Sequence, residues 1–309
     1  MRRAAGGAMT RGACMGGKTN VGFIGLGDIG SHMGRHLVCE AFEAHVFDLV
    51  PAAVEAAVEA GAVASPSIAD MAGNCSYIGV CVNNAPQVES VLYGDGGLFA
   101  NAAPGTCIAV HSTVTQAQLL RWAGDAAQRD LRLLDAPMTG GAARSQEGTL
   151  CYMVGGSEED LAAVTPMLQT SAEKIVHAGP VGAGIALKLC NNFMQYTEFT
   201  ILAEAARLAQ ACGLSLDVIK AVGESNGVVN PQSYQFVSGR NALAPSCSDE
   251  QMEEFMGWAA KLAVKDLDAC LETAAEKGVV LPTAEHIRAR IENVFLARDE
   301  SRPAAAGQG

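Results

Sequence analysis

A glycine-rich segment, Gly25-Leu26-Gly27-Asp28-Ile29-Gly30, directly follows the apolar run Val21–Ile24. By itself a Gly-x-Gly-x-x-Gly pattern is weak evidence, because a chain with 34 glycines contains many ordinary turns. Here an apolar strand precedes the pattern, a helix-like stretch follows it, and Asp48 ends the next apolar run roughly 20 residues further on. This context predicts a strand, a tight turn and a helix that together bind a dinucleotide, which requires an α/β fold.

The residues of this loop have separable tasks in dinucleotide binding. Gly25 permits the tight turn, Gly27 lets the backbone approach a diphosphate, and Gly30 lets the helix pack closely on the strand. The N-terminus of the helix offers N–H donors and a partial positive charge to the phosphates. We therefore assign the whole loop to the cofactor site: Gly25, Leu26, Gly27, Asp28, Ile29 and Gly30.

Asp48 is the predicted partner of the cofactor's ribose. Its carboxylate can accept hydrogen bonds from both ribose hydroxyls and repels a 2′-phosphate, so NAD is favoured over NADP. No arginine follows it, since Leu49, Val50 and Pro51 come next. The alternative, in which Asp48 is only a solvated strand end, stays open at this point.

Residues 19–182 alternate short apolar runs with helix-like stretches such as Ser31–Glu40 and Ala52–Ala60. Runs bounded by Gly, Pro, Asn or Asp are predicted to be buried strands. These runs are Val21–Ile24, His45–Asp48, Tyr77–Val82, Thr106–Val110, Leu131–Asp135 and Leu150–Val154. The alternation predicts a Rossmann-type, doubly wound parallel sheet covered by helices on both faces.

The pattern changes after Gly184. Ile185–Ala211 is nearly free of helix breakers and rich in Ala, Leu and Glu, which predicts one long helix that ends near Gly213. Further helices are expected at Leu216–Val222, Asp249–Lys277 and Thr283–Ala297. Residues 183–300 are therefore predicted to form an all-α domain that binds substrate, and its wide apolar helix faces favour a homodimer or homotetramer.

Composition and charge argue against several functions. The net charge of −12 repels the phosphate backbone of nucleic acids, so nucleic-acid binding is not expected. The ten cysteines are scattered without a Cys-x-x-Cys pair, so no metal site is predicted and a reducing compartment is favoured. No apolar run has the length of a membrane span, so membrane association is not expected.

The two ends of the chain are predicted to lie outside the folded domains. Residues 1–18 are basic, glycine-rich and free of acidic side chains, and they lack the apolar core of a secretory signal. We interpret them as a disordered extension of a cytoplasmic protein, with Met15 as an alternative start to Met1. Residues 301–309 are expected to form a disordered tail.

Lys188 stands in an otherwise apolar stretch that follows the glycine-rich segment Gly179–Gly184. It shares one helix face with Asn192, four residues later. Desolvation would lower the pKa of such a lysine toward neutrality, which suits an amine that exchanges a proton with a substrate hydroxyl. The alternative is a lysine that merely extends along the helix to reach solvent.

A second candidate site follows the strand Leu131–Asp135, in the turn that ends in Thr139-Gly140-Gly141. Ligands bind at the carboxyl ends of strands in open parallel sheets. The Thr139 hydroxyl and the N–H groups of the two glycines can bind a carboxylate, although the same residues also suit an ordinary turn. Arg144 and His111 are either contacts for a second anionic group or surface and packing residues.

Taken in order, these motifs resemble the β-hydroxyacid dehydrogenase family, which includes 3-hydroxyisobutyrate dehydrogenase and tartronate semialdehyde reductase. The resemblance covers about residues 20–295 and rests on Phe23–Gly30, Asp135–Gly141, Gly179–Asn192 and Lys265-Asp266-Leu267. It implies a Rossmann-type domain followed by a helical domain that dimerises, and an activity on small carboxylate substrates.

The resemblance also implies a role for each matching residue. Lys188 matches the catalytic lysine of the family, and Asn192 matches an amide that orients the substrate. The loop that binds the substrate carboxylate is matched by Thr139, Gly140 and Gly141. Positions that contact the cofactor are matched by Val82, Asn83, Thr113 and Lys265.

Three features depart from the family pattern. His111 stands where an aspartate is commoner, Asn83-Asn84 replaces the commoner Leu-Pro pair, and the Gly- and Asp-rich ending is absent after Ala297. The first two are expected to tune contacts to cofactor or substrate. The third puts the contribution of the C-terminus to the site in doubt.

The expected activity is the NAD-dependent transfer of a hydride between the cofactor and a small 3-hydroxy acid. Oxidation converts this acid to a semialdehyde or keto acid. Lys188 is expected to act as the general acid/base. An NADPH-dependent reductase of tartronate or succinic semialdehyde is the first alternative, and it differs from the main expectation in its cofactor. A non-catalytic dinucleotide-binding protein is the second, since it would keep the glycine loop but would not need Lys188 with Asn192.

Overall fold

The computed structural model describes residues 17–299, so the predicted tail at 301–309 and nearly all of the predicted extension at 1–18 lie outside the described residues. Within this range one sheet contains β1 (Thr19–Ile24), β2 (Phe42–Phe47), β3 (Val63–Ala64), β4 (Tyr77–Val80), β5 (Cys107–Val110), β6 (Arg132–Asp135), β7 (Met138–Thr139), β8 (Leu150–Gly155) and β9 (Ala172–Gly179). The helices in the same part of the chain are α1 (Gly30–His36), α2 (Pro51–Glu59), α3 (Ile68–Asn74), α4 (Ala85–Tyr93), α5 (Leu98–Asn101), α6 (Gln116–Ala127), α7 (Gly141–Glu147) and α8 (Glu158–Leu168).

The sheet is wound in both directions from β1. The strand order is β3-β2-β1-β4-β5-β6-β8-β7, with β9 beside β8. Strands β1 to β6 are parallel, and Ile24 at the end of β1 pairs with Phe47 of β2 on one side and Val80 of β4 on the other. Because the chain changes direction at β1, a crevice opens at the carboxyl ends of these strands.

Apolar packing covers both faces of the sheet. Neighbouring residues of a strand point to opposite faces, so Phe23 packs in a core with α1, α2 and α8, whereas Ile24 packs in a core with α3 to α6. Both side chains are only 2% exposed. The Rossmann-type, doubly wound sheet predicted from the alternating strands and helices is confirmed.

The second part of the chain is helical. It contains α9 (Ala183–Ala211), α10 (Leu216–Asn226), α11 (Pro231–Leu243), a 3-10 turn (Ala244–Ser246), α12 (Asp249–Glu276) and α13 (Pro282–Phe295). Leu189 of α9 packs beside Cys270 of α12, and Tyr196 bonds to Asp266, so these two long helices run antiparallel. The predicted all-α domain and its long first helix are therefore confirmed.

A buried ion pair joins α11 to the end of the described chain. The side chains of Arg240 and Asp299 are 0% and 2% exposed, and Nη1 of Arg240 lies 3.2 Å from Oδ2 of Asp299. The same nitrogen donates to the carbonyl of Val294 at 2.7 Å, and the main-chain carbonyl of Asp299 accepts from Arg207 at 2.5 Å. Burial lowers the pKa of Arg240, and the charge of Asp299 opposes this shift. Each charge is thus held out of water beside its opposite.

Some elements do not follow from the sequence patterns, and β9 and α11 are two of them. β9 carries charged and polar residues between short apolar ones and pairs with β8 alone, so it lacks the apolar run of a buried strand. α11 has apolar residues without a clear helical stripe, but Asn230-Pro231 marks its start: the Asn230 side chain accepts from the N–H groups of Gln232 and Ser233. β8 also runs antiparallel to β6 and β7, a reversal that strand and helix alternation does not reveal.

Exposed apolar side chains recur every seven residues along α9. They are Leu187, Met194, Ile201 and Leu208, with 38%, 57%, 51% and 68% exposure. This spacing puts them on one stripe of the helix. We call these four residues the α9 stripe.

Among the helices of residues 17–299, none has the length and apolar character that a membrane span requires.

Candidate active site

A cleft lies where the carboxyl ends of the central strands face α9 and α12. Residues that line it come from the glycine-rich loop, from the ends of β4 and β5, from the turn after β7, and from α9, α11 and α12. Predicted site residues on its walls are Gly27, Asp28, Ile29, Gly30, Val82, Asn83, Thr113, Thr139, Gly140, Gly141, Lys188, Asn192 and Lys265. Gly25, Leu26 and Asp48 do not line the cleft and instead shape the loop beside it.

The glycine-rich loop has the geometry that a bound diphosphate requires. Gly25 adopts a φ of +96°, and a Cβ there would lie 2.1 Å from the carbonyl oxygen of Cys81. A Cβ on Gly30 would lie 2.1 Å from the carbonyl oxygen of Gly25. A Cβ on Gly27, in contrast, would meet nothing within 4 Å. The loop is therefore tightly packed on its inner side and leaves open space over Gly27, so it fits the diphosphate of a dinucleotide.

Asp48 lies just past the end of β2, next to this loop. Its Oδ2 accepts a hydrogen bond from the N–H of Leu26 at 2.6 Å, and its Oδ1 accepts one from the N–H of Val50 at 2.8 Å. The carboxylate thus holds the loop in place and remains partly exposed at the edge of the sheet. Carboxylate oxygens can accept further bonds, so these contacts are compatible with ribose binding.

The ends of β4 and β5 are tied together beside the loop. Ser112 Oγ accepts from the N–H of Val82 at 2.9 Å and donates to the carbonyl of Val82 at 2.7 Å. The carbonyl of the next residue, Thr113, accepts from Lys265 Nζ of α12 at 2.8 Å. Lys265 therefore bridges the helical domain to the strand ends where the cofactor is expected.

The turn after β7 lies against the first helix of the sheet domain. Gly140 and Gly141 have φ values of +133° and +67°, which favour glycine, and they begin α7. Their N–H groups belong to a first helical turn, which has no acceptor within the helix. Ser145 of α7 donates to the carbonyl of Ile29 at 2.9 Å, so this turn and the glycine-rich loop are held side by side.

Lys188 and Asn192 lie one turn apart on the same face of α9, and both line the cleft. Lys188 is half-buried and forms no hydrogen bond or ion pair with residues 17–299. Desolvation by burial lowers the pKa of Lys188 from about 10.5 to about 8, with Asp266 opposing the shift and Lys265 adding to it. An amine with this pKa can both release and accept a proton near neutral pH.

Asp266 organises the polar groups around Lys188, a function that the sequence motif Lys265-Asp266-Leu267 did not reveal. Its side chain is buried, and Oδ2 accepts from Asn192 Nδ2 at 2.7 Å and from the Tyr196 hydroxyl at 3.0 Å. Its Oδ1 lies 2.9 Å from Lys265 Nζ. Tyr196 could have been found from its spacing, because it lies four residues after Asn192 on the same helix face.

Asp135 joins the sheet to the start of α9. Its buried carboxylate accepts from the N–H of Gly182 at 2.8 Å and from the N–H of Ile185 at 2.6 Å. Burial raises the pKa of Asp135 to about 6, and the backbone hydrogen bonds oppose the shift. The group is therefore ionised at neutral pH, where a negative charge suits a helix N-terminus.

His111 lines the cleft and also packs against neighbouring groups. It is 2% exposed, its Nδ1 lies 2.8 Å from the carbonyl of Ala136, and its ring stacks on Phe23 with centroids 5.8 Å apart. Burial lowers the pKa of His111 to about 4, so the ring is neutral at physiological pH. Since the Ala136 carbonyl requires a donor, Nδ1 carries the proton.

Within the described range, histidine, cysteine, aspartate and glutamate side chains form no cluster of three or more that could hold a metal ion.

Comparison with known proteins adds two family models that together span the described domains. Residues 20–179 match the NAD binding domain of 6-phosphogluconate dehydrogenase. Residues 182–302 match the NAD-binding domain of NADP-dependent 3-hydroxyisobutyrate dehydrogenase. The border between the two matches coincides with the start of α9 at Ala183.

Relatives with named activities are similar to this chain over most of their length. A 2-(hydroxymethyl)glutarate dehydrogenase of Eubacterium barkeri is 34% identical, with 85% of this chain and 84% of the relative covered. An NAD-dependent L-serine dehydrogenase of Pseudomonas aeruginosa is 35% identical, with coverage of 82% and 85%.

A solved structure shares the fold. The 3-hydroxyisobutyrate dehydrogenase of Mycobacterium tuberculosis with L-serine superposes with a TM-score of 0.77 and 26% identity, covering 92% of this chain and 96% of the other. Both family models, the relatives and this superposition agree with the observed fold. The chain belongs to the β-hydroxyacid dehydrogenase family and is an NAD(P)-dependent oxidoreductase.

Proposed function

We propose that this chain oxidises a small 3-hydroxy acid, of the 3-hydroxyisobutyrate type, to its semialdehyde with NAD, and that Lys188 is the general base. The observation that carries this proposal is the common cleft of Lys188, Asn192 and the turn Thr139-Gly140-Gly141, directly beside the glycine-rich loop. When bound, the nicotinamide ring supplies the hydride acceptor. The protein supplies orientation and proton transfer.

Different residues of the cleft orient the substrate and transfer the proton. The Thr139 hydroxyl and the N–H groups of Gly140 and Gly141 bind the substrate carboxylate. Lys188 Nζ accepts the hydroxyl proton as the carbon–hydrogen bond breaks, and Asn192 holds the hydroxyl-bearing carbon in position. Asp266 fixes the Asn192 amide at 2.7 Å and is a positioning residue.

The reaction class is tested by incubating the purified protein with NAD and a panel of small 3-hydroxy acids, and by following NADH absorbance. Growth of the signal with at least one acid supports the proposal. Absence of NADH formation with every acid, although NADH binds, would shift the assignment to reduction of a semialdehyde. The reverse reaction with NADPH is therefore measured beside it.

We base the proposed preference for NAD on Asp48. Asp48→Asn is expected to lower the ratio of NAD affinity to NADP affinity by about 10- to 100-fold, which corresponds to the free energy of one charge-assisted hydrogen bond. The asparagine keeps an oxygen for the Leu26 N–H but loses the charge that repels a 2′-phosphate. Dissociation constants for NADH and NADPH, from nicotinamide fluorescence, measure the ratio. Asp95→Asn, at an exposed site in the same domain, is the matched control. An unchanged ratio in Asp48→Asn would refute the assignment.

We further propose that two copies of the chain associate through the α9 stripe. Heptad spacing on a 29-residue helix allows two such stripes to form a continuous apolar seam. Ile201→Glu is expected to reduce the molar mass seen by light scattering from a dimer or tetramer toward one chain. Val58→Glu, at an exposed site on α2, should leave it unchanged. A monomeric wild-type protein would rule this interface out.

A further inference from the structure

One buried side chain at the wall of the cleft, His111, contacts the main chain just before the turn Thr139-Gly140-Gly141. His111 follows the end of β5, and its Nδ1 lies 2.8 Å from the carbonyl oxygen of Ala136. Ala136 lies between β6 and β7, and Thr139 is the last residue of β7. The imidazole ring is therefore joined to the segment that leads directly into the turn.

The peptide unit between Ala136 and Pro137 depends on a donor of this kind. Pro137 has no N–H group, so the carbonyl of Ala136 is the only group through which this peptide unit can form a hydrogen bond. The peptide units on either side have main-chain bonds: the N–H of Ala136 donates to Val110, and the carbonyl of Pro137 accepts from Met153, both at 2.9 Å. Because Ala136 is 0% exposed, water does not replace a lost donor. His111 thus fixes a peptide plane that has no N–H of its own.

The surroundings of the ring select the tautomer that this contact needs. Burial lowers the pKa of His111 to about 4, so the ring carries a single proton at neutral pH. A carbonyl can only accept, whereas the Tyr77 hydroxyl, 3.3 Å from Nε2, can donate. The proton therefore belongs on Nδ1, and Tyr77 donates to Nε2. Stacking on Phe23 holds the ring in this orientation.

We infer that His111 is a positioning residue for the substrate carboxylate, because its Nδ1–H holds the Ala136 carbonyl and with it the turn Thr139-Gly140-Gly141. This inference rests on the proposed function, in which the turn binds the carboxylate. An ionised aspartate, the commoner residue at this position in the family, has no proton to donate to a carbonyl. The contact is thus a property of this chain.

The expected effect is on binding and not on the rate of the bound complex. Oxidation of the hydroxyl-bearing carbon leaves the carboxylate unchanged, so contacts to the carboxylate are equally strong in the ground state and the transition state. Disturbing the turn through His111 should therefore raise KM for the acid and leave kcat nearly unchanged.

The test compares two replacements of similar shape that differ in the donor. His111→Asn keeps an N–H at the place of Nδ1, His111→Leu does not, and both remove the ring from Phe23 and Tyr77. His111→Leu is expected to weaken the binding of 3-hydroxyisobutyrate about tenfold, the effect of one unpaired polar group. Calorimetry with NADH present measures this affinity, because no oxidation can then occur. His111→Asn should restore most of it, and both variants should keep the affinity for NADH.

Ser171→Ala is the matched control for a loss of stability in the same domain. It removes a buried hydrogen bond of 2.7 Å between Ser171 Oγ and the Tyr152 hydroxyl, which involves no residue of the turn. The affinity for the acid should stay unchanged. A second measurement needs no variant to fold: proton–nitrogen NMR correlations of the histidine rings in the wild-type protein should show the proton of His111 on Nδ1.

Three results would overturn the positioning role: unchanged acid affinity in His111→Leu, an equal loss in His111→Leu and His111→Asn, or a wild-type proton on Nε2. A parallel loss of NADH affinity would also overturn it, since the whole cleft would then be disturbed. Turnover of 3-hydroxyisobutyrate by the wild-type protein is measured separately. Binding that depends on His111 without turnover supports the positioning role and counts against the proposed reaction.

Discussion

Lys188→Ala is expected to lower kcat for oxidation of the best 3-hydroxy acid by about 10²- to 10⁴-fold, the usual contribution of a general base. The loss follows because the substrate hydroxyl then lacks the amine that is proposed to take its proton. NADH affinity should persist, since the glycine-rich loop and Asp48 do not depend on the lysine. Single-turnover rates and NADH titrations separate the two effects.

The pH dependence gives an independent check on the same residue. Burial lowers the pKa of Lys188 to about 8, so the fraction of unprotonated amine, and with it the oxidation rate, should rise with pH through that value. Reduction, which needs the protonated amine, should fall over the same interval. Lys261→Ala, on the exposed surface of α12, is the control and should keep both the rate and the profile. A Lys188→Ala enzyme with wild-type turnover would remove the lysine from the mechanism.

Asp299→Ala is expected to lower the free energy of unfolding of the helical domain by about 3–5 kcal/mol, because it removes a buried carboxylate that lies 3.2 Å from the buried guanidinium of Arg240. The side chain of Arg240 is 0% exposed, so water cannot replace the lost carboxylate without a structural opening. Urea unfolding followed by circular dichroism measures the change.

An exposed ion pair supplies the comparison for this prediction. Arg288 and Asp268 pair at 2.5 Å with side chains that are 36% and 53% exposed. Asp268→Ala should therefore cost only about 0–1 kcal/mol. If Asp299→Ala costs no more than Asp268→Ala, the ion pair of Arg240 does not stabilise the helical domain. The double replacement Arg240→Met with Asp299→Leu should recover part of the loss, since it removes both charges.

Much of the fold follows from local sequence signals. Strands that are buried on both faces consist of continuous apolar residues, so β1, β4, β5 and β6 could be located within a few residues. β9 could not, because an edge strand tolerates Glu173, Lys174 and His177. Helix ends were also displaced: α1 ends at His36 rather than Glu40, since Val38 to Ala41 turn the chain toward β2.

The sequence likewise predicts only some of the residues of the candidate site. Gly25, Gly27 and Gly30 could be assigned from the turn that they form, and Lys188 with Asn192 from helical spacing. Asp266 acquires its position beside Asn192 and Tyr196 only when α9 and α12 pack together. No spacing along a single element brings the Asp266 carboxylate to within 2.7 Å of the Asn192 amide.

Asp135 anchors the first turn of α9 to the sheet through the N–H groups of Gly182 and Ile185. Lys188 lies about 4–5 Å from Ile185 along the helix, whereas Gln195, which also lines the cleft, lies roughly 15 Å from it, at 1.5 Å per residue. A rotation of α9 about this anchor would therefore displace Gln195 about three times as far as Lys188. The anchor thus fixes the position of Lys188 relative to the sheet more closely than it fixes the far end of the cleft.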